Sequence, residues 1–141
     1  MSADSWERSF IERQQVARLA TVGARGGPHI VPIVFAYDGE RLFTPIDAKP
    51  KRVSPEALQR VRDIQANPHA AVLFDHYDED WKQLAWVQLR GKAAYIETGT
   101  LQEAGARLLS ARYLQYTPTS LAECPMVVIT IERVLSWQGS G

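Results

Sequence analysis

The sequence predicts a mainly β, α+β fold: a six-stranded antiparallel barrel, closed or nearly closed, with helices packed on its outside. Three observations carry that reading. Six apolar segments rich in β-branched and aromatic residues recur along the chain, bounded by Gly, Pro, Asn and Asp. One segment before them and two between them carry helical periodicity instead. The chain has 141 residues, 45% hydrophobic and 23% charged, which suits one domain with a real core.

Residues 5–17 read as a helix, because Trp6, Phe10, Ile11 and Val16 make an apolar stripe among Glu7, Arg8, Glu12 and Arg13, with Asp4 or Ser5 as cap. Residues 18–22 form a short strand. Gly23-Ala24-Arg25-Gly26-Gly27 turns the chain, since glycine adopts positive φ without steric cost. Residues 29–37 form the next strand. Pro32 within it cannot donate to a ladder, so it marks a bulge or an edge. Asp38-Gly39 is a hairpin turn, and residues 41–46 return as a strand. The loop 47–53 carries Lys49, Lys51 and Arg52 around Pro50. Ser54-Pro55-Glu56 then opens a second helix with a hydroxyl cap, a proline at the first position and an acid in the first turn. Leu58, Val61 and Ile64 are its buried face, and at about 100° per residue Arg60 and Arg62 fall on opposite flanks. Asn67-Pro68 stops it.

Residues 70–74 are a buried strand, and residues 75–82 a polar loop anchored by Trp81. Residues 84–96 form a long strand in which Gly91 marks a bulge or a close backbone approach. Thr98 or Thr100 caps a third helix containing Leu101, Ala104, Leu108 and Leu109 and ending near Tyr113. Residues 115–125 are irregular, and residues 126–137 alternate as the final strand.

Composition excludes several classes of function. Sixteen basic and sixteen acidic residues leave a net charge of +0, without the basic footprint of a nucleic-acid partner. Cys124 is the only cysteine, so neither an intrachain disulfide nor a cysteine metal cluster is available, which fits a reducing compartment. The polar start lacks a signal-peptide core, and no apolar run approaches the roughly 20 residues that span a bilayer. The expectation is a cytoplasmic protein without a membrane partner. Serine nucleophile elbows, Walker loops and Rossmann fingerprints are absent. His29, His69 and His76 are scattered. The acidic run Asp75, Asp78, Glu79 and Asp80 has hard oxygen ligands but not the spacing of a calcium loop, so no metal is assigned to it. Lys49, Lys51, Arg52 and Arg60 read on their own either as a solvated basic loop or as the grip for an anion.

Four phrases carry a resemblance: Pro45-Ile46-Asp47-Ala48-Lys49-Pro50-Lys51, Arg60-Val61-Arg62-Asp63-Ile64, Asn67-Pro68, and Asp75-His76-Tyr77-Asp78-Glu79-Asp80-Trp81. From about Phe10 to about Gln138 the chain resembles the flavin-reductase-like split β-barrel proteins, which include the pyridoxamine 5'-phosphate oxidases and the deazaflavin-dependent reductases. Within that superfamily it looks most like a branch of F420-dependent enzymes. The resemblance implies an FMN-binding split-barrel fold and a homodimer in which both chains build each cofactor site. It implies F420 as cofactor, with FMN as the alternative, and hydride transfer to or from a small organic substrate, as a reductase rather than an oxidase. Arg60, eight positions before the Pro of Asn-Pro, takes the place of the residue that contacts the cofactor phosphate in relatives. Lys49, Lys51 or Arg52 supplies a second cation. Thr44, Pro45 and Ile46, with the facing strand that holds Pro32, lie against the ring; the two prolines each remove a backbone donor there. Trp81, Trp86, Trp137 and Tyr77 read as core or dimer contacts, with Trp86 also assigned to the wall of the ring. No catalytic acid or base is assigned. The alternatives are an FMN-binding relative of pyridoxamine 5'-phosphate oxidase and a non-catalytic cofactor- or haem-binding protein. Neither a cation nor a histidine follows Arg133, which argues against oxidation of pyridoxamine phosphate itself.

Overall fold

The computed structural model describes residues 3–46 and 58–139. Seven strands, β1 (Ala17–Val22), β2 (Pro28–Ile33), β3 (Ala36–Tyr37), β4 (Arg41–Pro45), β5 (His69–His76), β6 (Ala85–Ile96) and β7 (Met126–Gln138), form one antiparallel sheet in the order β2-β1-β5-β6-β7-β4-β3. The two ends of that order, β2 and β3, are consecutive in the chain. The sheet therefore curls into a half-barrel whose edges are bridged by Val34 and Phe35. This passage is why residues 29–37 yield two strands, and the sheet seven rather than six. The Phe35 N–H turns away from any neighbouring strand and donates to the Tyr113 hydroxyl at 3.1 Å.

Among the described residues, four α-helices flank the sheet: α1 (Ser5–Arg13), α2 (Gln59–Ala66), α3 (Thr100–Arg112) and α4 (Pro118–Leu121). A capping box starts α1, with the Asp4 N–H donating to Glu7 Oε1 at 2.6 Å. It ends before residue 17 because Ala17 is already paired with Ile33 in the sheet. On α2, Val61 and Ile64 are buried as the periodicity predicts. The Ser54-Pro55-Glu56 start lies outside the described residues. Gly99, at φ +108°, holds the cap position of α3 rather than either threonine, because only glycine enters that turn without strain. Within the predicted irregular stretch, Thr117 and Ser120 close a capping box around α4.

Two apolar clusters hold these layers. Inside the curl, Leu19, Leu42, Val72, Phe74, Leu89, Val127 and Ile129 meet Phe10 and Ile11 of α1 and Val61 and Ile64 of α2. Outside it, Ala106 and Leu109 of α3 and Leu121 of α4 cover Ala36, Phe43, Met126 and Val128. Strand β7 is thus buried on both faces over its first four residues, and each such side chain is worth about 1.5–3 kcal/mol against leaving it in water. Gly91 sits at the register shift between β6 and β7, where a Cβ would collide with the Thr130 carbonyl. Pro32 lies on β2, at the edge of the sheet, where a missing N–H costs no ladder bond. No helix among the described residues is long and apolar enough to cross a membrane.

Candidate functional site

Strand β4 runs toward the basic loop and ends at Pro45; the Ile46 N–H then donates to the Pro125 carbonyl at 2.8 Å. Ile46 and Val34 form part of the lining of a cleft of about 1480 Å³. Its other walls come from the end of α3, the segment around α4, and Gln15 and Val16. The back of the cleft is tied together by Arg112 and Tyr113. The Tyr113 hydroxyl donates to the Gln15 carbonyl at 2.9 Å and accepts from Phe35 N and, at 3.2 Å, from Arg112 Nε. The Arg112 guanidinium lies 4.5 Å from the Phe35 ring centroid and donates to the carbonyls of Glu12 and Gln14. The far wall is hung on buried Gln102, whose Nε2 donates to the carbonyls of Leu121 and Cys124 at 2.8 and 2.9 Å.

Helix α2 separates its two arginines as the periodicity requires. Arg62 is exposed and donates to Gln59 Oε1 at 2.7 Å. Arg60 is half-buried, and its Nε is buried without a hydrogen-bond partner. Burial pushes its guanidinium pKa below the ordinary value. Even so an arginine stays protonated, so a cation with one unpartnered buried N–H is held there. An anion is the ligand such a group accepts best.

The same helix carries a group the sequence reading missed. Asp63 is only 2% exposed. Its Oδ2 accepts from Thr21 Oγ1 at 2.7 Å, and its Oδ1 from Gln59 Nε2 at 2.6 Å. His29 Nδ1 stands 3.9 Å from Oδ2. The only linear hint was Gln59, one helical turn earlier; Thr21 and His29 arrive through strand pairing.

The other expected site residues are distributed as follows. Thr44 and Pro45 are buried in β4, opposite Val127 and Met126. Pro32 is exposed on β2. Trp86 is half-buried on β6, between Asp75 and Trp137. Pro45 reaches β6 through Met126 at Ile96, ten positions from Trp86, or roughly 33 Å along a strand. One chain therefore does not bring Trp86 and Ile46 together. Lys49, Lys51 and Arg52 lie outside the described residues. Trp81 does not anchor its loop; it is 68% exposed. That loop is held by its carboxylates, with Asp78 accepting from the Asp80 N–H and Asp80 from the Lys82 N–H.

A curled antiparallel sheet whose two edge strands follow one another in the chain, with helices on its flanks, is the architecture of the split-barrel proteins. The chain belongs to the pyridoxamine 5'-phosphate oxidase family, whose sequence pattern matches residues 7–138. It is 32% identical over 94 residues to the 5a,11a-dehydrotetracycline/5a,11a-dehydrooxytetracycline reductase of Streptomyces rimosus. That stretch is 66% of this chain and 63% of the relative, so the chain spans less than two thirds of the curated relative it matches. Among solved structures it is similar to HutZ, the heme storage protein from Vibrio cholerae, with a TM-score of 0.73 at 17% identity, covering 99% of this chain and 98% of that one. It is also similar to an F420 reductase, with a TM-score of 0.67 at 24% identity, covering 94% of this chain and 98% of that one. At those identities the two structures speak for the fold.

Proposed function

We propose that the chain is an oxidoreductase acting on a small organic molecule, and that it holds a phosphorylated deazaflavin of the F420 type, with FMN as the alternative, in a site completed by a second copy of itself. The observation that carries this reading is Arg60, whose Nε is buried without a hydrogen-bond partner, in a family named for an oxidase of a phosphorylated substrate. Lys49, Lys51 and Arg52 follow Ile46 closely in the chain and are assigned to the same anion. Ile46 and Val34 offer an apolar wall for the ring at the cleft. When bound, the cofactor supplies hydride transfer; the protein orients it and keeps water away. The reductase activity of the curated relative supports reduction as the direction.

The sheet itself supports the second copy. Outward rows of directly paired residues, Pro32-Arg18-Leu73-Gln88-Leu135 and Asp75-Trp86-Trp137, cross strands β2 to β7. Ile30 on this face is 64% exposed and Trp137 48%. Association through it would let Trp86 and Ile46, far apart in one chain, serve one site.

Parallel titration of the purified protein with FMN and with F420 tests the reading. Arg60→Ala should weaken the bound cofactor by about 1.5–3 kcal/mol, the scale of a charged hydrogen bond. Equal affinity in mutant and wild type removes Arg60 from the site. The absorption spectrum of the purified protein separates a flavin, near about 450 nm, from haem.

A further inference from the structure

Among the described residues that line the cleft, Arg112 is the one cation and Glu123 the one acid. Arg112 is half-buried and shares the lining with Val34 and Ile46. Its Nε donates to the Tyr113 hydroxyl at 3.2 Å, its Nη1 to the Glu12 carbonyl at 3.0 Å, and its Nη2 to the Gln14 carbonyl. All three acceptors are neutral oxygens. A guanidinium carries five N–H groups, so Nη1 and Nη2 each keep one beyond those bonds. The group also lies over the Phe35 ring, 4.5 Å from its centroid. It is therefore held in place before any ligand arrives, and a preorganised donor loses little freedom on binding.

We propose that Arg112 is the specificity-determining residue of the cleft, and that it selects an organic acid with an apolar body by holding its carboxylate or enolate oxygen. The proposal rests on the reading of the cleft as the reaction site and names the class of molecule that site takes. The apolar body is asked for by the rest of the lining. Val16 and Leu114 border the cleft and are exposed, and Leu121 lies behind them in the same wall. Covering such surface supplies affinity without direction, while a few polar groups among apolar ones fix how a ligand lies. Arg112 is the charged group placed to do so. Capping the end of α1 accounts for its bonds to Glu12 and Gln14, since cations there meet the last carbonyls of a helix. A lysine would spend all three of its N–H groups on the same three oxygens. The arginine keeps two for a ligand, and a carboxylate is the partner its planar fork matches best.

Naphthoate and naphthamide are the probes, because they share a body and differ in charge. Calorimetric titration of the full chain, without added cofactor, should show naphthoate binding at least about tenfold more tightly than naphthamide, the scale of a charge-assisted hydrogen bond. Arg112→Gln, folded by circular dichroism, should bring the two affinities within about twofold of each other. A merely structural arginine would leave the preference for the acid in place. Because Arg112 also braces α1, a second variant keeps it intact. Gln15 is an exposed residue of the cleft wall, next in the chain to the Gln14 carbonyl that Arg112 holds. Gln15→Glu should cut naphthoate affinity at least about threefold and leave naphthamide unchanged. Equal affinities in wild type, no binding of either probe, a preference that persists in Arg112→Gln, or unchanged naphthoate affinity in Gln15→Glu would each overturn the proposal. The two readings fail separately. A naphthoate preference that depends on Arg112, with no uptake of FMN or F420, sinks the cofactor reading alone. Cofactor uptake that needs Arg60, with the two probes bound alike, sinks this one alone.

Discussion

Replacing Tyr113 with Phe removes one oxygen and no apolar area, yet that oxygen joins three parts of the chain. It accepts from Phe35 N at the break between β2 and β3, accepts from Arg112 Nε, and donates to the Gln15 carbonyl beyond α1. The three losses are not equal. Gln15 is exposed, so its carbonyl recovers a water at little cost. Arg112 keeps its bonds to Glu12 and Gln14. Phe35 belongs to the buried core, and an unsatisfied donor there costs about 1–3 kcal/mol. Adding one modest net bond for Arg112 gives an expected loss of about 1.5–4.5 kcal/mol. For a chain of this length that is a fall in Tm of roughly 5–14 °C. Urea unfolding followed by tryptophan fluorescence reads the loss directly, with an unchanged m-value confirming that the native fold persists. A loss below about 0.5 kcal/mol, the size of an ordinary surface change, would refute the view that this hydroxyl pins the strand break.

Three further outcomes follow from the fold. Gly91→Ala drives a methyl group into the Thr130 carbonyl, a backbone atom that cannot step aside, so a loss above about 3 kcal/mol or failure to accumulate folded protein is expected in thermal melts. Burial, the largest cause, raises the Tyr37 pKa above the ordinary tyrosine value. The folded state therefore holds that proton more tightly than the unfolded chain, and its contribution is complete below about pH 10 and lost as pH rises beyond it. Denaturant midpoints between pH 9 and pH 11 should fall more steeply in wild type than in Tyr37→Phe. If the chain pairs through its outer face as proposed, Trp137→Glu places a charge in that seam and should shift sedimentation toward the monomer while leaving the circular dichroism spectrum unchanged.

Most of the framework was legible because it is written locally. Alternation and turn residues located the strands within a residue or two, Gly91 announced its bulge, and Val61 and Ile64 announced the buried face of α2. The division of residues 29–37 was not legible, because the hydroxyl that takes the Phe35 N–H comes from position 113, on the far side of β4, β5 and β6. The same distance hid Asp63. Its donor Thr21 lies 42 positions away, and from sequence a carboxylate between an arginine and an isoleucine on a helix reads as solvated. Trp81 misled for the opposite reason: an aromatic among acids looks like an anchor, but its ring is exposed and the side chains that hold the turn are those of Asp78 and Asp80. Of the expected cofactor residues, Arg60 stood out from its helical position, and the structure leaves its buried nitrogen without a partner.

The curled sheet also governs how the protein behaves in a crowded solution. An open sheet exposes a row of backbone groups to which a stray strand can add, the first step toward fibrils. Here one border is two residues long, too short to template anything, and the other carries Pro28 and Pro32, neither of which has a hydrogen to donate. Replacing those two prolines with valine would be expected to leave the monomer folded and make it prone to aggregate.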